Sequence, residues 1–322
     1  VRRKLSVALA AVLMAVLSAC GGTAGGNGTD VVTLYTADGL EDWYAQRFGE
    51  FTARTGITVQ VVTAGSGEVT SRVEKERANP QADVLVTLPP FIQRAASQNL
   101  LTGSGYAPMI NNYLCFIATT GQPAPRTWDD LLDPKYRGKL QYSTPGEAGD
   151  GTAVLLQLQH VFGKQGALDY LARLQANNVG PSSSTGKLQP KVAKGELLVA
   201  NGDVQMNLAE IEASGGFEVF FPADATGTRS TFALPYYAGQ VAGGPHPDNA
   251  RKLVDFLFSP QVQATAVDAY GLPGRAAGGV SGPKADRIKA VLQGVEIWQP
   301  DWNAVLAGLD ADLDAYRKAV GR

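Results

Sequence analysis

Three stretches set small or hydroxyl-bearing residues between an apolar run and a helix-forming segment: Gly65-Ser66-Gly67-Glu68, Gly151-Thr152 and Ser183-Ser184-Thr185. A helix N-terminus offers free amide groups and roughly half a positive charge, and a neighbouring hydroxyl adds a donor. Glycine lets the backbone approach whatever is bound. Each stretch could therefore hold an anion or a small polar ligand. Each hydroxyl, taken singly, is also an ordinary helix cap, and Ser66 is well placed as one. Asp38 carries the same ambiguity, because Glu41 follows at capping-box spacing, so it either caps a helix or faces a ligand.

The elements that must position these residues alternate in type. Residues 31–35 (VVTLY) and 57–62 (ITVQVV) read as strands, the second as a buried one, and 83–87 (DVLVT) as another. Between the first two, Leu40, Tyr44, Phe48 and Phe51 share one helical face, and Gly56 ends that helix. Residues 68–78 form a helix with an exposed charged face, stopped by Asn79-Pro80. A short helix spans 90–98, and a Gly/Ser/Pro-rich passage precedes a strand at 113–117. Further strands are expected at 140–143, 197–200 and 217–221, and an extended run at 232–241. Helices are expected at 127–132, 153–162, about 168–174, 187–194, 248–258, 260–269, 285–292 and 302–319. Strand, loop and helix in repeated succession predict an α/β protein with parallel units, whose crevices lie at the carboxyl ends of the strands.

Hydrophobic residues make up 44% and charged residues 18% of 322, enough for two lobes with their own cores. Lys and Arg number 28 against 30 Asp and Glu, with no basic face or RNA-type aromatic motif, which argues against nucleic-acid binding. There is no nucleophile elbow, metal-ligand spacing or P-loop, so an enzyme is the weak alternative. The beginning of the chain reads as a leader: Arg2-Arg3-Lys4, an apolar segment over 5–17 too short for a comfortable membrane span, then Leu17-Ser18-Ala19-Cys20. That last motif resembles a bacterial lipobox. It implies a signal peptide over 1–19, a lipid on Cys20, and a Gly-rich tether to residue 30 that holds the body at the outer face of a membrane. Cys115, in an apolar run, reads as a buried strand cysteine.

Taken together, the chain resembles the solute-binding lipoproteins of ABC importers, and within them the cluster of ferric-iron and 2-aminoethylphosphonate binders. The general likeness rests on the lipobox and on Thr127-Trp128-Asp129-Asp130-Leu131-Leu132-Asp133-Pro134-Lys135-Tyr136-Arg137-Gly138-Lys139-Leu140. The narrower likeness, to the aminoethylphosphonate branch, rests on Tyr35-Thr36-Ala37-Asp38-Gly39-Leu40-Glu41-Asp42-Trp43-Tyr44, Ala64-Gly65-Ser66-Gly67-Glu68-Val69, the stretch from Asn79 to Pro90, and Leu234-Pro235-Tyr236-Tyr237. The resemblance implies a two-lobed periplasmic-binding-protein fold of type II-like form, with two hinge crossovers and a ligand cleft between the lobes. The crossovers are expected near 113–119 and 232–241. The first lobe is then 31–117 with 236–284, and the second 118–235 with 285–322.

A zwitterionic phosphonate needs two unlike subsites. The expected ligand residues are Asp38, Gly39, Ser66, Gly67, Glu68, Pro89, Thr144, Gly151, Thr152, Ser184, Thr185, Asp203, Tyr236 and Tyr237. The hydroxyls and helix starts would take the phosphonate, and an acid the ammonium, with Glu68 the first choice ahead of Asp38 and Asp203. Glu147 and Asp150 are further acids in such loops. No cofactor or metal is expected. The expected partners are an aminophosphonate, a cognate permease and ATPase, and the membrane through Cys20, with the chain itself a monomer. Ferric iron is the rival within the family. Its binders carry a Tyr pair where this chain has Asn201-Gly202-Asp203, and commonly a histidine where this chain has Gly39. A polyamine carrier is a second rival as a transport protein, and a phosphonate-processing enzyme is the rival from a different class.

Overall fold

The computed structural model describes residues 30–274 and 280–322; the leader, Cys20 and the tether up to residue 29 lie outside the described residues. The chain opens with strand β1 (Val31–Ala37), helix α1 (Glu41–Thr55), strand β2 (Thr58–Ala64), helix α2 (Ser66–Lys75), strand β3 (Val84–Thr87) and helix α3 (Phe91–Ser97). β1 pairs in parallel with both β2 and β3, so the loops that follow the three strands open on one edge. α1 buries Trp43, Tyr44, Phe48 and Phe51 against one face of this sheet and stops at Gly56, whose φ of 74° is the left-handed conformation of a helix C-terminus. On the other face Val69, Val73 and Ile92 of α2 and α3 pack against Tyr35 and Leu85.

β2 is an edge strand, not the buried one that its β-branched run suggests. It lies at the end of the six-stranded sheet, and Val61 is 42% exposed. A larger difference is β4 (Leu101–Asn111), which occupies the Gly/Ser/Pro-rich passage. Gly103, Gly105 and Pro108 hide its strand signal. The sheet tolerates the proline because β4 is near the other edge, flanked on one side only by a two-residue strand.

The second lobe contains β5 (Leu114–Thr119), β6 (Leu140–Gln141), the long helix α4 (Gly149–Leu174), α5 (Gln189–Ala193), β7 (Val199–Asp203), α6 (Val204–Ala213) and β8 (Phe217–Phe220). Its sheet runs β6-β7-β5-β8, with β6 and β7 parallel. α4 is broken at Gly163 (φ 71°, ψ 169°), where the sequence likewise separates two helical segments. The boundary expected at residue 117 moves: residues 114–117 hydrogen-bond to β7 and β8, so the chain changes lobes at Asn112-Tyr113.

The return follows β9 (Ser230–Phe232) and enters β10 (Tyr236–Val241), which pairs antiparallel with β3 and β4 in the first sheet. The two passages lie side by side: Leu234 N donates to Asn112 O at 2.8 Å, and Tyr113 bridges Ala233. Helices α7 (Pro247–Leu257) and α8 (Pro260–Ala264) and the short β11 (Leu272–Pro273) complete the first lobe. α9 (Pro283–Val291), β12 (Glu296–Trp298) and α10 (Trp302–Ala319) follow. β12 pairs with β9, while α10 packs on α4 and reaches α3 of the first lobe through the Arg94–Asp310 ion pair. Among the described residues, no helix is long and apolar enough to cross a membrane.

Candidate ligand site between the lobes

Each parallel strand delivers its loop to the gap between the sheets. From the first lobe come Asp38-Gly39 after β1, Gly65-Ser66-Gly67 after β2, and Leu88-Pro89 after β3. Asp38 does not cap α1. The cap position is Leu40, and Glu41 Oε2 accepts from Gly39 N at 2.9 Å instead. Asp38 Oδ2 accepts from the second lobe, from Ser184 Oγ and from Gly186 N at 3.1 Å. Gly39 sits at φ 115° with its O accepting from Gln205 Nε2 at 3.0 Å, and a Cβ there would lie 2.4 Å from the Tyr236 hydroxyl. That position holds only glycine.

Ser66 is the first residue of α2, not its cap; Gly65 takes the cap position in extended conformation. The reason is proximity. Cβ atoms on Gly65 and Gly67 would fall 2.2 Å from Ser183 O and 2.0 Å from Gly146 O, so the two lobes meet here backbone to backbone. Gly67 N donates across the seam to Glu147 O at 2.9 Å. Ser66 Oγ is thereby set over the start of α4, 2.6 Å from where a Cβ on Gly149 would stand. The amides of Gly149, Asp150 and Gly151 form the first turn of α4 and have no acceptor within the helix.

The second-lobe loops brace one another. Thr144 Oγ1 accepts from Ser182 N at 3.0 Å, and Thr144 N donates to Ser182 O at 2.8 Å. Thr185 Oγ1 donates to Ser143 Oγ at 3.0 Å, and Asn201 holds Ser143 through N–H···Oδ1 at 2.7 Å and Nδ2–H···Oγ at 3.1 Å. Thr152 accepts from Gly146 N at 2.9 Å and donates to Ala148 O at 3.1 Å, so its hydroxyl closes the β6–α4 loop.

The acids dominate the interior. Asp150 and Asp203 are 3% and 0% exposed, and Asp150 Oδ1 and Asp203 Oδ2 have no hydrogen-bond partner among the described residues. Asn112 Nδ2 and Gln205 Oε1 are likewise unpaired among them. Asp203 Oδ1 caps α6 by accepting from Met206 N at 2.7 Å. Burial pushes the Asp203 carboxyl up to about 7, with the charge of Asp38 adding to it and the Met206 amide opposing it. Burial also holds Asp150 well above the carboxylate range, and the charges of Asp203 and Asp38 raise it further. Asp38 is raised by burial, opposed by Ser184 and Gly186. The Tyr236 phenol is raised by burial and by the same three acids, and its hydroxyl donates to Asp38 O at 2.9 Å.

Of the expected site residues, Asp38, Gly39, Ser66, Gly67, Gly151, Ser184, Thr185, Asp203 and Tyr236 converge on this gap. Pro89 is buried at the start of α3, and Thr144 braces the 182–185 loop. Tyr237 points the other way. It follows Tyr236 in a strand, so it takes the opposite face, against Tyr106 with ring centroids 5.7 Å apart. Glu68 is exposed and sits on the rim, where it lines two clefts of about 470 and 600 Å³ that adjoin the seam. Asp150, a buried acid in the first turn of α4, stands outside the expected ligand set. Its signal in the sequence is an acid flanked by glycines at the start of a long apolar helix. Among the described residues, no group of three or more His, Cys, Asp or Glu is arranged to hold a metal ion.

Two α/β lobes joined by adjacent passages, with post-strand loops facing each other across a polar gap, define a solute-binding protein of the ABC-importer type. The chain belongs to the bacterial extracellular solute-binding protein family, whose model matches residues 32–272. It is 48% identical over 311 residues to a Salmonella typhimurium protein named "Putative 2-aminoethylphosphonate-binding periplasmic protein", covering 90% of this chain and 92% of that one. In fold it is similar to the periplasmic binding protein P5PA (TM-score 0.79, 19% identity, 90% and 99% of the two chains). A second similar structure is AfuA from Actinobacillus pleuropneumoniae (TM-score 0.73, 19% identity, 90% and 97%). Membership of this family makes the chain a binding protein that works outside the cytoplasm, not an enzyme.

Proposed function

We propose that this protein captures 2-aminoethylphosphonate between its lobes and delivers it to a cognate permease and ATPase. One observation carries the reading: the first turn of α4, overhung by Ser66 Oγ, holds buried Asp150 in the field of buried Asp203, and each carboxylate keeps an oxygen unpartnered among the described residues. Amides and a hydroxyl suit a phosphonate, and buried acids suit an ammonium two carbons away. A buried carboxylate without a partner is costly, and a bound cation removes that cost. In this reading Asp150 and Asp203 meet the ammonium, displacing Glu68, which is on the rim. The relative named for the same ligand supports the assignment.

Calorimetry against 2-aminoethylphosphonate, methylphosphonate, phosphate, putrescine and ferric citrate tests it. Tight binding of the aminophosphonate with much weaker binding of methylphosphonate is expected. Tight ferric binding without heat from the aminophosphonate would overturn the assignment, and equal binding of methylphosphonate would remove the ammonium subsite.

A further inference from the structure

Asp38 invites the role of an ammonium contact, as an acid in the first post-strand loop. Its surroundings give it different work. Both partners of Oδ2, the Ser184 hydroxyl and the Gly186 amide, come from the opposite lobe. Its own carbonyl is fixed by the Tyr236 hydroxyl, and the next residue, Gly39, accepts from Gln205 of α6. Two consecutive first-lobe residues thus receive three second-lobe donors. The receiving loop is braced: Ser182 Oγ donates to Ser184 O at 2.8 Å, Ser182 is paired with Thr144, and Thr185 is tied to Ser143. Gly186 is needed for the approach, since a Cβ there would lie 3.1 Å from Asp38 Oδ2. The charged groups facing Asp38 are Glu41 at the start of α1, Lys187 on the opposing loop, and the interior acids Asp150 and Asp203.

We infer that Asp38 and Ser184 form a clasp that holds the lobes closed, a positioning pair for the ligand and not a contact with its ammonium. A carboxylate accepting two donors from the other lobe keeps them only when the lobes are together, so the bond energy goes into closure. The clasp draws nothing from the ligand, and it therefore serves alike every ligand that closes the protein. The inference rests on the proposed ligand only in naming which molecule is enclosed.

The test compares Ser184→Ala, Asp38→Asn and the double variant with the unaltered protein, using calorimetry with 2-aminoethylphosphonate and methylphosphonate and small-angle X-ray scattering without ligand. Each single variant should weaken both phosphonates by the same factor, roughly tenfold for a charge-assisted bond. The double variant should be no weaker than the worse single one, and the radius of gyration without ligand should rise in all three. Loss confined to the aminophosphonate would make Asp38 an ammonium contact and overturn the clasp, as would additive losses or unchanged scattering. If the unaltered protein binds neither phosphonate, the ligand assignment fails, while the scattering comparison still decides the clasp. Ser184→Ala removes one hydroxyl and leaves the Asp38 carboxylate in place, so the test survives if Asp38→Asn does not fold.

Discussion

The Asp203 carboxylate acts directly on Asp150: after burial itself, it is the strongest influence holding the Asp150 carboxyl above its usual range. Two such groups buried in each other's field cannot both be charged cheaply without a cation between them. Most of α4, then α5 and β7, lie between them in the chain, and the parallel pairing of β6 with β7 brings their loops together.

Binding of an aminophosphonate should therefore release protons. An ammonium favours the charged carboxylates, so below about pH 7, where Asp203 is protonated, part of the binding energy goes into deprotonation. Affinity for 2-aminoethylphosphonate should rise from pH 5.5 to pH 7.5 and then level off. Calorimetry in buffers of different ionisation enthalpy should show the proton leaving. Methylphosphonate, titrated in parallel, corrects for ionisation of the phosphonate itself; identical pH profiles for the two ligands would count against the subsite.

Stability without ligand should run the opposite way. The folded Asp203 carboxyl is raised from 3.8 to about 7, so the folded state binds the proton more tightly than the unfolded chain does. The stabilising contribution is full below pH 3.8 and is lost as pH climbs to about 7. Asp203→Asn keeps an N-cap for α6, since asparagine caps as well as aspartate, and removes the buried charge. At pH 7.5 this variant should melt higher than the unaltered protein, by about 2–4 °C for each kcal/mol relieved. It should also lose at least tenfold in aminophosphonate affinity and little for methylphosphonate. Stability gained where binding is lost would mark Asp203 as strained for function.

The alternation of strands and helices is legible in the sequence because it depends on patterns that survive in one dimension: apolar runs, helical faces such as that of Tyr44, Phe48 and Phe51, and the glycines that end helices. The division into two lobes is implied by the family resemblance. What is not legible depends on neighbours. β4 forms in spite of its glycines and proline because β10 supplies its hydrogen bonds. Exposure of β2 follows from its edge position, not from its composition. In the site, Ser66, Asp38 and Thr152 all read as caps or ligands. Only the opposing lobe shows that Ser66 overhangs α4 and that Asp38 reaches Ser184, and only the folded loop shows that Thr152 is spent within it.

The glycine seam gives a prediction about closure. Gly67 donates to Glu147 O across the gap, and a methyl group on it would meet Gly146 O at 2.0 Å. That contact is with backbone, so a side-chain shift cannot relieve it. Gly67→Ala should leave each lobe folded, because α2 tolerates alanine better than glycine in its first turn. Affinity for any ligand should fall by at least tenfold, and the radius of gyration in small-angle scattering should exceed that of the unaltered protein, with or without ligand. An unchanged radius would show that the lobes close without this contact.

Tyr236 and Tyr237 are adjacent in sequence and opposite in consequence. Strand alternation sends the Tyr236 hydroxyl into the gap, where it donates to Asp38 O and lies in the field of Asp38, Asp150 and Asp203. It sends Tyr237 to the opposite face of the sheet, beside Tyr106. Tyr236→Phe leaves the ring and removes the donor that fixes the clasp loop. It should weaken both phosphonates several-fold, about what one buried hydrogen bond contributes. Tyr237→Phe should change neither affinity by more than about twofold, since an edge-on aromatic contact does not need the hydroxyl. Calorimetry on the two variants decides it. A large effect of Tyr237→Phe would place the second hydroxyl in the site after all, and so contradict the register in which β10 pairs with β3 and β4.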